Sequence, residues 1–179
     1  MILVLEFMRS NKGLTLVEII IYVAFLGAIS VFIANFLIQM VNTYNRARTE
    51  REVVSNARLV LEQINKAISE SQTIYSPTSI LNNDAGQLSL VTATGAAAEH
   101  ATAYLDFWVD NGIIFMRQEG QNAIPLSASS VRVSKFKPER IMQGLGREAI
   151  KITLQVDNAN AKFPATITLN STTALKGNY

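Results

Sequence analysis

The sequence predicts an α+β fold in which one long N-terminal helix, with a membrane-spanning half and an amphipathic half, packs on a C-terminal antiparallel β-sheet. Three observations predict it. No charged residue stands between Glu18 and Arg46, an apolar stripe at helical spacing follows, and period-two alternation dominates the chain after Pro77. The order of segments read this way is a leader over residues 1–13, a transmembrane helix segment over 14–42, an amphipathic soluble helix segment over 43–76 and a β-rich head over 77–179.

The span comes first. Ile19 to Ile38 reads IIIYVAFLGAISVFIANFLI, in which only Ser30 and Asn35 are clearly polar. At about 1.5 Å per residue such a helix crosses a hydrocarbon core of roughly 30 Å. A buried helix of a soluble core is the first alternative, but such helices seldom run this far without a charge. A cleaved secretory signal is the second. Its apolar region is typically about 7–15 residues and ends on small residues, whereas this run is longer and no Ala-x-Ala exit follows it.

Arg9, Lys12 and Gly13 stand just before Leu14-Thr15-Leu16-Val17-Glu18. A carboxylate inside the start of an apolar helix is costly in a membrane and is a functional hypothesis by default. Its place near the helix N-terminus eases that cost, because the helix dipole favours a negative charge there. A plain N-terminal helix charge at the membrane surface is the alternative for Glu18.

The run Lys12-Gly13-Leu14-Thr15-Leu16-Val17-Glu18, followed by about twenty apolar residues, resembles the N-terminal cleavage and methylation segment of type IV prepilins and type II secretion pseudopilins. The resemblance implies that a prepilin peptidase cuts between Gly13 and Leu14 on the cytoplasmic side and methylates the new amine of Leu14. It also implies that Glu18 neutralises the terminal amine of a neighbouring subunit during assembly. Leu14 departs from the phenylalanine usual in the family and keeps the position apolar. A glycine before the cut has a physical rationale, since a backbone without Cβ admits close approach in a peptidase cleft. Residues 1–7 are largely apolar, and Met8 would open a short basic leader of the usual type as an alternative start.

Orientation draws on two signals that disagree. Arg46, Arg48, Arg51 and Arg58 after the span outnumber Arg9 and Lys12 before it, which the positive-inside count reads as a cytoplasmic C-terminal side. The leader motif implies the reverse. The motif is the more specific signal, and Glu50 and Glu52 make the arginine region a mixed-charge helix surface.

From Arg46 to Ile74 there is neither Gly nor Pro, and Val53, Ala57, Val60, Ile64 and Ile68 form one apolar stripe. Arg51, Glu52, Arg58, Glu62, Lys66 and Glu70 decorate the other faces. The stripe is read as packing on the following sheet, with a coiled-coil dimer as the alternative. A helix from Leu14 to about Ile74 is a rod of roughly 90 Å, and Pro77 ends it.

Gln87 to Thr92 is a short strand candidate, and Gly95-Ala96-Ala97-Ala98 is a small-residue loop. Tyr104 to Val109 and Ile113 to Gln118, split by Asp110-Asn111-Gly112, predict a hairpin, because Asn and Gly accept positive φ. Val131 and Val133, then Ile150, Ile152, Leu154 and Val156, then Phe163, Ala165, Ile167 and Leu169 alternate with mostly polar residues. Such runs are half-buried antiparallel strands. A helix followed by strands is also the order that the resemblance implies, most of all for a minor pseudopilin or minor pilin of the J type. The motif covers about the first quarter of the chain, and the strand region matches in pattern only.

Composition bounds the chemistry. The 179 residues carry 16 Lys+Arg, 14 Asp+Glu, one His and no Cys, with 17% charged and 49% apolar residues. A disulfide framework, a thiolate metal site and a cysteine nucleophile are excluded, as are a disordered acidic tail and a strongly basic nucleic-acid binder. His100 follows Glu99 in the small-residue loop and has no partner ligand in sequence. Gly144-Leu145-Gly146 lacks the preceding strand and third glycine of a phosphate cradle. The C-terminal cysteine pair and acidic calcium loop of some pilin relatives have no counterpart, since Asp157-Asn158-Ala159-Asn160 holds one carboxylate. No catalytic residue, metal ligand or cofactor is assigned, and the chain is read as no enzyme.

Charge in the head is uneven. Between Ile74 and Asn122 one base, Arg117, faces Asp84, Glu99, Asp106, Asp110 and Glu119. From Ala123 onward Arg132, Lys135, Lys137, Arg140, Arg147, Lys151, Lys162 and Lys176 face Glu139, Glu148 and Asp157. A solvated face needs no partner; subunit contact comes next, and DNA last, since only Phe136 interleaves the bases. The leading expectation is a structural assembly subunit of a pilus or pseudopilus serving secretion, adhesion or DNA uptake. Its partners are the prepilin peptidase, other pilin or pseudopilin subunits and the membrane. It would be a single-pass inner-membrane protein with its head outside the cytoplasm before incorporation. The alternatives are a membrane-tethered extracytoplasmic binding module for DNA or secreted cargo, and a single-pass membrane enzyme, for which no constellation is found.

Overall fold

The computed structural model describes residue 13 and residues 15–94, 101–143, 147–160 and 162–177. Its chain forms two compact units, residues 1–44 and 45–179. Helix α1, Leu16–Glu70, contributes to both. In the first unit every helical side chain is exposed, the bulky apolar ones from Leu16 to Tyr44 included. An apolar surface on all sides of a helix suits lipid rather than water or a core. The helix is long and apolar enough to cross a membrane, which is compatible with a single-pass membrane protein.

The second unit is built where α1 becomes amphipathic. Val53, Ala57, Val60, Ile64 and Ile68 are all at most 1% exposed, and Leu61 joins them. They meet Leu88, Leu90, Phe107, Ile114, Phe136, Ile150, Ile152, Leu154 and Val156 in one core. The stripe therefore packs on the β-structure of its own chain. Leu59, on the opposite side, stays 54% exposed.

The β-structure divides into two antiparallel sheets where the sequence predicts one. The first has the order β1-β2-β3-β4-β5, with β1 Ser71–Ile74, β2 Gln87–Thr92, β3 Ala103–Asp110, β4 Ile113–Gln118 and β5 Ile124–Pro125. The second has the order β6-β7-β8, with β6 Val131–Gln143, β7 Arg147–Asn158 and β8 Thr166–Ala174. They adjoin through the 82–86 turn. The Phe136 N–H donates to the Asp84 carbonyl at 2.8 Å, and the Gly86 N–H donates to the Phe136 carbonyl at 2.9 Å. A Cβ on Gly86 would lie 2.4 Å from Pro138 Cδ, so that close approach requires glycine.

Several boundaries differ from the sequence reading for physical reasons. The helix ends at Glu70, not near Ile74, and the 43–76 segment is split accordingly. Ser71 Oγ donates to the Ala67 carbonyl at 2.6 Å, which satisfies one of the last helical acceptors. The chain then turns into β1, where Thr73 and Ile74 pair with Val91 and Leu90 and Ile74 enters the core. Two β-branched residues suit that strand better than a further helical turn. Strand β6 continues well past Val133, because a bulge between Val133 and Lys135 breaks the alternation while pairing with β7 goes on. Pro138 is tolerated there since β6 is the last strand of its sheet. Strand β8 starts at Thr166 rather than Phe163, after Pro164. The Gly95–Ala98 loop and Gly144–Gly146 lie outside the described residues.

The β3–β4 hairpin forms in the register Asp110↔Ile113, with Asn111 at φ 49° and Gly112 at φ 79°. Both central residues take the left-handed region that such two-residue turns need. The outward side of the second sheet carries Lys137 Nζ 2.8 Å and Lys151 Nζ 3.2 Å from Glu139. The hydrogen bond from Lys137, then that from Lys151, holds the Glu139 carboxyl below its usual range. The same bond raises Lys137. Glu139 thus adds stability above the unfolded carboxylate pKa and loses it as pH falls through its depressed value, whereas Lys137 keeps its share until pH rises through its raised value. Thermal midpoints of Glu139→Gln should fall below the parent at neutral pH and converge with it in acid. The gap should be small and should narrow in high salt, because the groups are partly exposed.

Candidate functional site

The N-terminal end of α1 is organised by its own sequence. The Thr15 N–H donates to Glu18 Oε2 at 3.2 Å, and Thr15 Oγ1 donates to the same oxygen at 3.3 Å. In return the Glu18 N–H donates to Thr15 Oγ1 at 3.3 Å, and the Ile19 N–H reaches the Thr15 carbonyl at 3.2 Å. This is the reciprocal capping box of a Thr-x-x-Glu sequence, with Thr15 as N-cap and Glu18 at the third helical position. Helix and acid define each other: without the carboxylate the first turn loses a partner for an orphan N–H.

Two consequences follow for the predicted site. Glu18 sits in the first turn, where the positive end of the helix dipole stabilises its charge. Gly13 lies outside the helix, exposed, with nothing within 4 Å of where a Cβ would sit. A side chain at position 13 therefore meets no obstacle among the described residues. Leu14, together with residues 1–12 of the leader, Arg9 and Lys12 included, lies outside the described residues. Thr15 was not singled out from the sequence, although the Thr-x-x-Glu spacing ahead of an apolar run is itself a capping signature.

The head places its charges in pairs. Lys135 lies 3.0 Å from Asp84, Lys137 and Lys151 share Glu139, and Arg140 pairs with Glu148. The basic residues that follow Ala123 are thus partly neutralised by acids of the same chain. Around Asp157-Asn158-Ala159-Asn160, the Asn158 amide donates to the Asn160 and Phe163 carbonyls, each at 2.8 Å, and the Lys162 N–H donates to Asn160 Oδ1 at 2.9 Å. These bonds close the loop on itself. Among the described residues no three His, Cys, Asp or Glu side chains gather as a metal site would require. His100 and Glu99 lie outside the described residues.

Comparison with known proteins returns no relative to lend a function: no family model, no curated protein and no solved structure matches this chain.

Proposed function

We propose that the chain is a structural assembly subunit of the type IV pilin or pseudopilin kind, cleaved after Gly13 and N-methylated at Leu14. The observation that carries this reading is the run from Lys12 to Glu18 directly ahead of an apolar helix. An exposed Gly13 outside the helix, an acid in the first helical turn and an amphipathic helical half packed on a β head support it. In this account the leader stays in the cytoplasm and the head lies outside it. The helix enters a pilus or pseudopilus beside other subunits. DNA is not the partner proposed, because several bases of the head already hold carboxylates of their own chain.

Glu18 then has two successive roles. In the uncut chain it caps the helix through Thr15. After the cut it lies close in sequence to a new amine and, in a filament, meets the amine of a neighbouring subunit, so that two charges are neutralised away from water. Glu18→Gln separates the roles, because a glutamine serves in a capping box but carries no charge. That variant should insert and be processed as the parent, yet co-assemble poorly with its partner subunits in a cross-linking assay. Leaving a buried amine unpaired costs about 3–5 kcal/mol, which is at least on the order of a hundredfold in assembly. Unimpaired assembly of Glu18→Gln would leave the carboxylate as a helix cap alone.

A further inference from the structure

The outward side of the first sheet carries a feature that the assembly reading does not use. Along β3 and β4, Phe107 and Ile114 point into the core, so Tyr104, Asp106, Trp108, Phe115 and Arg117 point the other way. Register places Trp108 opposite Phe115 and Asp106 opposite Arg117. The Trp108 and Phe115 rings stack with centroids 5.8 Å apart and 20° between their planes. Arg117 is held from two sides, by Asp106 Oδ2 at 3.0 Å and by the Trp108 face at 5.4 Å. Beside it Tyr75, which follows β1, meets the Tyr104 ring with centroids 4.6 Å apart. The two tyrosines, Asp106, Arg117, Glu119 and Gln121 line an open cleft of about 530 Å³, within the range of small-ligand sites.

We propose that this cleft binds a neutral carbohydrate, with the tyrosine pair as its stacking wall. A pyranose ring offers an apolar C–H face together with hydroxyls that both donate and accept. The cleft offers the complements: an aromatic wall that is apolar in its body and polar at its tip, carboxylates that accept, a guanidinium that donates, and an amide that does both. Other classes fit less well. Among the described residues Arg117 is the only cation of the lining, and it already holds Asp106, so phosphate or nucleic acid finds no unpaired cation among them. A wholly apolar ligand would strip water from Asp106, Arg117 and Glu119 without replacing their hydrogen bonds. Because Arg117 is fixed by stacking and pairing before any ligand arrives, little side-chain freedom is lost on binding.

The reporter is built in, since Trp108 is the only tryptophan of the chain and touches Arg117. The full chain in nanodiscs, free of sugar-based detergent, would be titrated with chitotriose, maltotriose and cellotriose while Trp108 emission is followed. At least one of these should give a saturable change, and the responsive sugar identifies the hexose. Tyr104→Ala should weaken that binding about tenfold or more, the scale of one lost aromatic stacking contact, and Tyr104→Phe should retain it. Tyr104 is 37% exposed, so its truncation should leave the fold intact. Circular dichroism checks this, and Tyr75→Ala gives a second reading from the other half of the wall. The proposal is overturned if no neutral trisaccharide titrates, if Tyr104→Ala and Tyr75→Ala bind as the parent does, or if choline or a proline-rich peptide titrates in place of the sugars. None of these outcomes touches the cleavage and assembly reading, which rests on the run from Lys12 to Glu18.

Discussion

Gly13→Val should abolish maturation while leaving the protein folded and in the membrane. The expectation rests on where the space is. Among the described residues nothing lies within 4 Å of a Cβ at position 13, so valine meets no clash with the described fold there. A peptidase cleft that draws the backbone close has no such room. Mass spectrometry of the membrane fraction should show the uncut chain alone for Gly13→Val, against cut and methylated chain for the parent. Trp108 emission and head stability should be equal in the two. Normal cutting of Gly13→Val would show that recognition does not depend on a bare backbone at this position.

The second large effect is on the head. Phe136→Ala should destabilise it by about 3–5 kcal/mol, the range for removing a buried aromatic side chain. Phe136 is fully buried in the core that α1 and both sheets share, and its backbone ties the 82–86 turn to β6. The cavity would therefore open where the two sheets adjoin. Since domains are stable by only about 5–15 kcal/mol, a urea titration followed by Trp108 should show a much earlier midpoint. Leu59→Ala, at a position 54% exposed, should stay within about 0.5 kcal/mol of the parent. Similar midpoints for the two variants would contradict the core described above.

The parts of the fold that were legible in sequence are those set by local periodicity. The stripe from Val53 to Ile68 repeats at helical spacing, and the same residues are buried. The Asn111-Gly112 turn declares its hairpin through a positive φ that few residues accept. What escaped depends on partners remote in sequence. Strand β1 is only four residues long and directly continues a helical pattern, so its pairing with β2 decides its conformation. The bulge after Val133 hides the length of β6, and Pro138 reads as a break until its place at a sheet edge is seen. The joining of the two sheets rests on the 82–86 turn, which has no periodicity of its own. At the candidate site, Gly13, Leu14 and Glu18 stand out by motif, whereas the capping box lies in the Thr15-x-x-Glu18 spacing, where the unusual acid is the stronger signal and hides its helix partner. The tyrosine cleft could not be read at all, because Tyr75 and Tyr104 meet only through strand pairing.

The central claim is that this chain is a processed assembly subunit, and its N-terminus tests that most directly. Intact mass and N-terminal sequencing should be done on the protein recovered from membranes of cells with and without a prepilin peptidase. A chain that begins at methylated Leu14 only when the peptidase is present is the result this account predicts. A chain that keeps Lys12-Gly13 in both cells would contradict it and leave the helix as the anchor of a membrane-tethered binding head.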